Sequence, residues 1–146
     1  MGEKIVDNPY RLRELVARKG ERLVRAAIIG AGEFGASFVF QAQYVTGLDM
    51  RAVINRTVER GVEAFENAGI ASEDIRICDS AKAVAQALDG GKYVVASDLS
   101  LLDGLGFDVV LEGTGHPEVG ARNAETAIRC GMHLIMVSKE VDSVVG

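Results

Sequence analysis

A glycine motif set between an apolar run and a helical pattern is the feature that most constrains this fold. Residues 24–29 form the apolar run, and Gly30-Ala31-Gly32-Glu33-Phe34-Gly35 follows directly. Apolar residues at helical spacing then continue from Phe34 to Val45. A strand, a G-x-G-x-x-G turn and a helix in this order are typical of dinucleotide-binding sites. We therefore predict that residues 30–35 bind the pyrophosphate of a dinucleotide.

Each glycine of the motif has its own predicted task. Gly30 allows the chain to turn tightly as the strand ends, and Gly32 lets the backbone approach the pyrophosphate. Gly35 lets the helix pack close to the strand. The free N–H groups at the amino end of the helix would then face the anion. A glycine-rich turn with a purely structural task is the alternative.

The segment after the second apolar run bears on the choice between NAD and NADP. Residues 50–54 predict a strand, and Asn55-Arg56-Thr57 follow it directly. NAD sites usually place an Asp or Glu here to accept hydrogen bonds from the ribose 2′-hydroxyl. Positions 55–57 hold no acid, and the Arg56 guanidinium can instead contact a phosphate. We predict that Asn55, Arg56 and Thr57 bind NADP(H), with NAD(H) and a merely solvated Arg56 as alternatives.

The remaining apolar runs alternate with helical patterns. Further strands are predicted at residues 93–97, 108–112 and 133–137, and residues 75–78 form only a short extended run. Successive β-α units with right-handed crossovers predict an α/β fold, a doubly wound parallel Rossmann sheet with strand order 3-2-1-4-5. We expect residues 24–146 to form this NAD(P)-binding domain. Residues 1–23 are expected to form an amino-terminal helical extension, with its helix over 8–23.

Composition narrows the class of protein. Hydrophobic residues make up 48% of the 146 residues, which is enough for a core, and the net charge of −5 disfavours a nucleic-acid surface. No apolar stretch reaches the length of a membrane span, and the first residues lack a signal-peptide core. We expect a cytoplasmic protein with no nucleic-acid or membrane partner, and a homo-oligomer stays open.

The cysteines and histidines predict no metal site. Cys78 and Cys130 each lie in an apolar pattern and are expected to be buried free thiols. His116 and His133 lack metal-ligand spacing with them. His116 precedes a proline at a helix start, where a capping or surface position is the favoured interpretation over catalysis.

Residues at the carboxyl ends of the later strands complete the predicted crevice, because ligands bind there in open α/β sheets. The turn Gly113-Thr114-Gly115 can offer N–H and hydroxyl groups to a cofactor, and a plain strand-to-helix turn is the alternative. Glu112 is expected to hold this turn rather than to transfer a proton. Lys139 is the candidate catalytic and cofactor-binding residue, since its ammonium could reach the nicotinamide carboxamide or a substrate oxygen. A solvated loop lysine is equally consistent with the pattern.

Three segments resemble the cofactor domain of homoserine dehydrogenase, namely residues 24–35, 109–115 and 131–139. That family has a Glu-x-Thr-Gly turn after strand four and an Asn-Lys pair after strand five. Glu112, Thr114 and Gly115 match the turn, and Lys139 matches the lysine. Ser138 stands where the family has asparagine.

A likeness over nearly the whole chain is to homoserine-dehydrogenase-like proteins that carry a later SAF domain. These include enzymes similar to 1-deoxy-D-xylulose 5-phosphate reductoisomerase. The motif Thr-Gly-x-Pro-Glu-Val-Gly at 114–120, the leading helix and the tail at 140–146 carry this likeness. It implies an NAD(P)-dependent oxidoreductase that moves a hydride between nicotinamide and a carbonyl or alcohol carbon of a small-molecule substrate.

Both families carry their principal catalytic residues in a later α/β domain, and nothing in this sequence matches that domain. We therefore expect the chain to be the amino-terminal cofactor half of a longer enzyme and to be inactive alone. Two alternatives stay open. One is the cofactor domain of a reductoisomerase-like enzyme acting on a sugar phosphate, and the other is a stand-alone NADP(H) sensor.

Overall fold

The computed structural model describes residues 22–139 and Ser143. Most of the helix predicted over 8–23 therefore lies outside the described residues, as does nearly all of the tail at 140–146. Arg22 and Leu23, the last two residues of that predicted helix, are described and are not helical. They lead directly into the first strand, so the helix prediction is wrong at these two positions.

Between Val24 and Met136 the described chain forms six strands and four α-helices. The strands are β1 (Val24–Ile29), β2 (Leu48–Ile54), β3 (Ile75–Ile77), β4 (Tyr93–Ala96), β5 (Val109–Glu112) and β6 (His133–Met136). The helices are α1 (Glu33–Ala42), α2 (Val58–Asn67), α3 (Ala81–Asp89) and α4 (Pro117–Arg129), with short 3-10 helices at Ser72–Asp74 and Leu99–Leu102.

The strands form one parallel sheet in the order β3-β4-β2-β1-β5-β6. This confirms the predicted α/β fold, and the five main strands have the predicted order. The run at 75–78 contributes a sixth strand, β3, at the edge beside β4. The strand order reverses between β1 and β5, and a crevice for a ligand opens at such a point in doubly wound sheets.

Two apolar cores lie on the two faces of this sheet. Val39 of α1 and Phe65 of α2 pack on one face, and Val84 of α3 and Leu102 pack on the other. The central strands are apolar on both faces because helices cover both. The sheet is thereby fixed between two layers, and the carboxyl ends of its strands meet at one edge.

Helix α1 is shorter than the pattern predicted. It ends at Ala42 rather than Val45, because the chain must turn through Gly47, which has a φ of +89°, to enter β2. The helical spacing of Phe34 and Val45 with Phe38, Val39 and Ala42 predicts that both lie in the core, but they are 45% and 51% exposed. Phe34 lies in the first turn of α1, where its ring stacks on Phe38 instead of entering the core.

Residue types that cap helices precede three helical patterns in the sequence, namely Thr57, Asp79 or Ser80, and Asp98, and side-chain caps form at two of the three helix starts. The Ser80 hydroxyl accepts a hydrogen bond from the N–H of Ala83 at 3.2 Å, and the Asp98 carboxylate accepts one from the N–H of Ser100 at 2.8 Å. Thr57 occupies the cap position of α2, but its side chain accepts no capping hydrogen bond. The expectation that the Thr57 hydroxyl caps this helix is therefore wrong.

Candidate functional site

A cleft of about 1120 Å³ opens at the carboxyl ends of β1, β2, β4 and β5. One wall comes from the glycine motif and from the segment after β2, and the other comes from the turn after β5 and the first turns of α4. Residues 97–99, which follow β4, also line the cleft. The cleft therefore lies where the topology predicts a ligand.

Two glycines of the motif hold α1 against the sheet. Gly30 has a φ of +96°, and a Cβ there would lie 3.0 Å from the carbonyl oxygen of Gly113. A Cβ on Gly35 would lie only 1.9 Å from the carbonyl oxygen of Gly30, so no side chain fits. Both geometries agree with the tight turn and the close packing expected from the sequence.

Gly32 differs from these two glycines. Its φ of −74° suits any residue, and no atom lies within 4 Å of the position that a Cβ would take. It lines the cleft beside the amino end of α1, which has no side-chain cap. Open space above this backbone and uncapped N–H groups at a helix start are what a bound anion requires.

Asn55 ties the glycine motif to the loop after β2. Its Oδ1 accepts a hydrogen bond from the N–H of Ala31 at 2.9 Å, and its Nδ2 donates to the carbonyl of Thr57 at 2.7 Å. The sequence predicted Asn55 at this site but gave no indication of this clamp. Asparagine often bonds to nearby backbone, which is the only signal that could have indicated it.

Two cations lie on the same wall of the cleft. Arg56 and Arg60 are both exposed, and neither forms an ion pair with the part of the chain that the structure describes. Thr57 lies between them along the sequence. Arg60 was missed from the sequence, although its spacing of four residues from Arg56 could have indicated it.

A buried carboxylate holds the turn after β5. Glu112 is 0% exposed, and its Oε1 accepts hydrogen bonds from the N–H of Thr114 at 3.1 Å and from the Thr114 hydroxyl. The Thr114 hydroxyl in turn accepts the N–H of His116 at 3.4 Å. The structure thus agrees with the expected holding role of Glu112. Its second oxygen, Oε2, is buried and has no partner among the described residues.

Ser138 secures the same turn from β6. It is 5% exposed, and its hydroxyl accepts a hydrogen bond from the N–H of Gly115 at 2.9 Å. The hydroxyl also donates to the carbonyl of Glu112 at 3.4 Å. The sequence marked Ser138 only as a replacement for asparagine, so this contact was missed.

The structure brings most of the predicted site residues to the cleft, but not all of them. Those that line it are Gly30, Gly32, Asn55, Arg56, Thr57, Gly113 and Thr114. Those that do not are Glu33, Phe34, Gly35, Gly115 and Lys139. Lys139 is exposed beyond β6, and its catalytic role stays a prediction. His116 lines the cleft as the exposed cap residue of α4, without a side-chain capping bond.

The thiols carry no sign of activation. Cys78 is buried, but Cys130 is only partly buried, so the expectation of two buried thiols is wrong for Cys130. Burial raises the pKa of the Cys78 thiol, and burial together with the nearby Asp103 raises the pKa of the Cys130 thiol. A raised pKa keeps a thiol protonated and a poor nucleophile.

The described part of the chain holds neither a metal-binding cluster nor a membrane-spanning helix. No group of three His, Cys, Asp or Glu side chains within residues 22–139 lies in an arrangement that could hold a metal ion. None of the four α-helices has the length and apolar character needed to cross a membrane.

The fold occurs in solved structures of larger enzymes. The chain matches a myo-inositol dehydrogenase from Lactobacillus casei, solved with NAD(H) and myo-inositol, at a TM-score of 0.54 and 18% identity. It also matches a myo-inositol 2-dehydrogenase from Lactobacillus plantarum at a TM-score of 0.52 and 16% identity. The matches cover 78% and 79% of this chain, but only 28% of each enzyme. No family model and no curated protein sequence matches the chain. At these identities the likeness shows the fold alone, which is Rossmann-like.

Proposed function

We propose that this domain binds NADP(H) and serves as the cofactor domain of an oxidoreductase related to the homoserine-dehydrogenase-like enzymes. One observation carries the proposal: the cleft joins an open glycine turn at a helix start to two arginines without acidic partners among the described residues. The first feature suits a pyrophosphate, and the second suits an additional phosphate group.

The pyrophosphate would lie over Gly32 at the amino end of α1. The absence of any atom within 4 Å of a Cβ position there leaves room for phosphate oxygens against the backbone. Gly35 keeps α1 against β1, so the N–H groups of the first turn point to a fixed place. The helix dipole adds a favourable field for the anion.

The 2′-phosphate would lie between Arg56 and Arg60. Asn55 is engaged with Ala31 and Thr57, so it orients the loop rather than reading the ribose alone. A carboxylate in place of residues 55–57 would repel the phosphate, and these positions hold none. Asp98 also lines the cleft, and its carboxylate accepts a hydrogen bond from the N–H of Ser100.

The chemistry would be shared between cofactor and protein. When bound, the nicotinamide supplies the hydride, and the protein supplies orientation and electrostatics. Thr114 and the turn that Glu112 and Ser138 secure would orient the nicotinamide half of the cofactor. Lys139 would act on a substrate oxygen in the complete enzyme. The homoserine-type substrate rests on the sequence resemblance, and sugar-phosphate reductoisomerase chemistry or NADP(H) sensing are the alternatives.

Calorimetric titration of the chain with NADPH tests the binding proposal. We expect saturable binding by the parent and its loss in Gly32→Val, because a branched side chain would occupy the space above the turn. Gly32→Ala, which adds one methyl group, should weaken binding less. Circular dichroism should show that both variants fold. Binding by Gly32→Val as tight as that of the parent would refute the pyrophosphate site.

A turnover assay tests the expectation that catalysis needs a further domain. Residues 1–146 should bind NADP(H) but should not turn over homoserine, aspartate semialdehyde or 1-deoxyxylulose 5-phosphate, because hydride transfer needs a substrate held and shielded near the nicotinamide. Absorbance at the NADPH band measures this directly. Sustained turnover that is lost in Lys139→Ala would show that this chain is a sufficient catalyst.

A further inference from the structure

Glu112 is a buried acid without a compensating charge among the described residues. It is 0% exposed, and no Lys, Arg or His side chain of the described residues lies within 4 Å of its carboxylate. Burying an uncompensated charge is costly, so buried charges are normally paired. A positively charged ligand nearby would supply the missing compensation.

The hydrogen bonds around Glu112 satisfy only one of its two carboxyl oxygens. Oε1 accepts from both the N–H and the hydroxyl of Thr114. Oε2 has no partner in the described part of the chain. The carboxylate thus has two donors on one oxygen and an unsatisfied second oxygen.

The position of Glu112 in the sheet identifies the part of a dinucleotide that would lie nearest to it. Glu112 is the last residue of β5, directly before Gly113 and Thr114, which line the cleft. In doubly wound folds a dinucleotide lies across the switch point, with one half of the cofactor on each half of the sheet. Arg56 and Arg60 mark the β2 side as the adenosine half. The β5 side, with Glu112 beneath it, is then the nicotinamide half.

We propose that Glu112 favours the oxidised, cationic nicotinamide over the reduced, neutral ring. This inference rests on the proposed NADP(H) site. A negative charge in a buried setting attracts the positive ring of NADP⁺ but gives the neutral ring of NADPH no comparable stabilisation. Glu112 would thereby set the ratio of the two affinities, a property separate from its holding of the turn.

The test measures the dissociation constants of NADP⁺ and NADPH for the parent and for Glu112→Gln by calorimetry. Glutamine keeps an oxygen acceptor for Thr114 and removes the charge. We expect the ratio of the NADP⁺ constant to the NADPH constant to rise by about tenfold in the variant. Glu112→Met, which also removes the charge, should shift the ratio in the same direction if the glutamine variant does not fold.

Two controls separate electrostatics from structure. Thr114→Val breaks the hydroxyl contact to Glu112 without a change of charge, and it should weaken both forms of the cofactor equally. Glu125→Gln removes one negative charge from the exposed face of α4, where Glu125 pairs with Arg129, and it should leave the ratio unchanged. An unchanged ratio in a folded Glu112→Gln or Glu112→Met protein that binds both forms would overturn the inference alone. A parent that binds neither form would overturn the NADP(H) proposal and this inference with it.

Discussion

The two halves of the cleft are built in different ways. On the β2 side, the N–H of Gly30 donates to Ile54 and the N–H of Asn55 donates to Ala96, and the neutral side chain of Asn55 adds a hydrogen bond from Ala31. On the β5 side, the buried side chains of Glu112 and Ser138 hold the turn. The first half leaves cations free in solvent, and the second half buries an anion.

Because of this difference, the two halves can contribute to ligand binding in different ways. Exposed arginines that take no part in holding their loop can be substituted with little effect on the fold, so they can determine selectivity. Substitution of a buried carboxylate that also holds a turn changes both the structure of the turn and the charge beside the cleft. Substitutions in the two halves should therefore affect stability and binding in different proportions.

The largest expected effect comes from the glycine that packs α1 onto β1. Gly35→Ala would place a methyl group 1.9 Å from the carbonyl oxygen of Gly30. The backbone fixes the position of the methyl group, and the oxygen itself belongs to the backbone, so neither can rotate away. We expect a loss of about 3 kcal/mol in the free energy of unfolding, or failure to fold. Urea denaturation followed by circular dichroism measures it.

Gly32→Ala is the matched control for this prediction, because it makes the same change three residues earlier in open space. Its free energy of unfolding should stay within about 1 kcal/mol of the parent value. Equal destabilisation by the two substitutions would contradict the division of tasks between these glycines.

The next effect is on cofactor selectivity. Arg56→Ala should weaken NADPH binding by about 1.5–3 kcal/mol, the value of a charge-assisted contact, and should weaken NADH binding much less. Arg60→Ala should shift selectivity in the same direction. Titration of each variant with both cofactors measures the shift. Arg129→Ala, on α4 and away from the cleft, is the control for loss of a positive charge. A parent that binds NADH as tightly as NADPH would show the assignment to be wrong.

Local patterns were sufficient to predict most of the fold. The apolar runs and the glycine motif gave five strands and their order, because each run is long enough to show burial on both faces. Strand β3 was not placed in the sheet because it has only three residues, of which Ile75 alone is buried. The exposure of Phe34 and Val45 was missed because helical spacing shows which residues share a face but not where the helix ends.

Residues of the site were predictable only where those that act together are close to one another in the sequence. The glycine motif predicted Gly30 and Gly32, and the missing acid after β2 drew attention to Arg56. The contact of Asn55 with Ala31 and that of Ser138 with Gly115 join loops that are 24 and 23 residues apart. Such contacts depend on the register of neighbouring strands, which a single sequence does not specify.

The smallest expected effect tests the two halves with a matched pair of serines. Ser138→Ala removes the acceptor for the N–H of Gly115 and should cost about 1 kcal/mol of unfolding free energy, because the hydroxyl is buried. Ser97→Ala, at the end of β4 on the other half, removes an exposed hydroxyl that has no hydrogen bond to the described residues, and it should cost close to nothing. Urea denaturation of both variants gives the comparison. If Ser97→Ala cost as much as Ser138→Ala, the buried side chains of the β5 half would have no special part in holding the cleft. A cost confined to Ser138→Ala would show that the buried hydroxyl of Ser138, and not the loss of a serine as such, stabilises the turn of the β5 half.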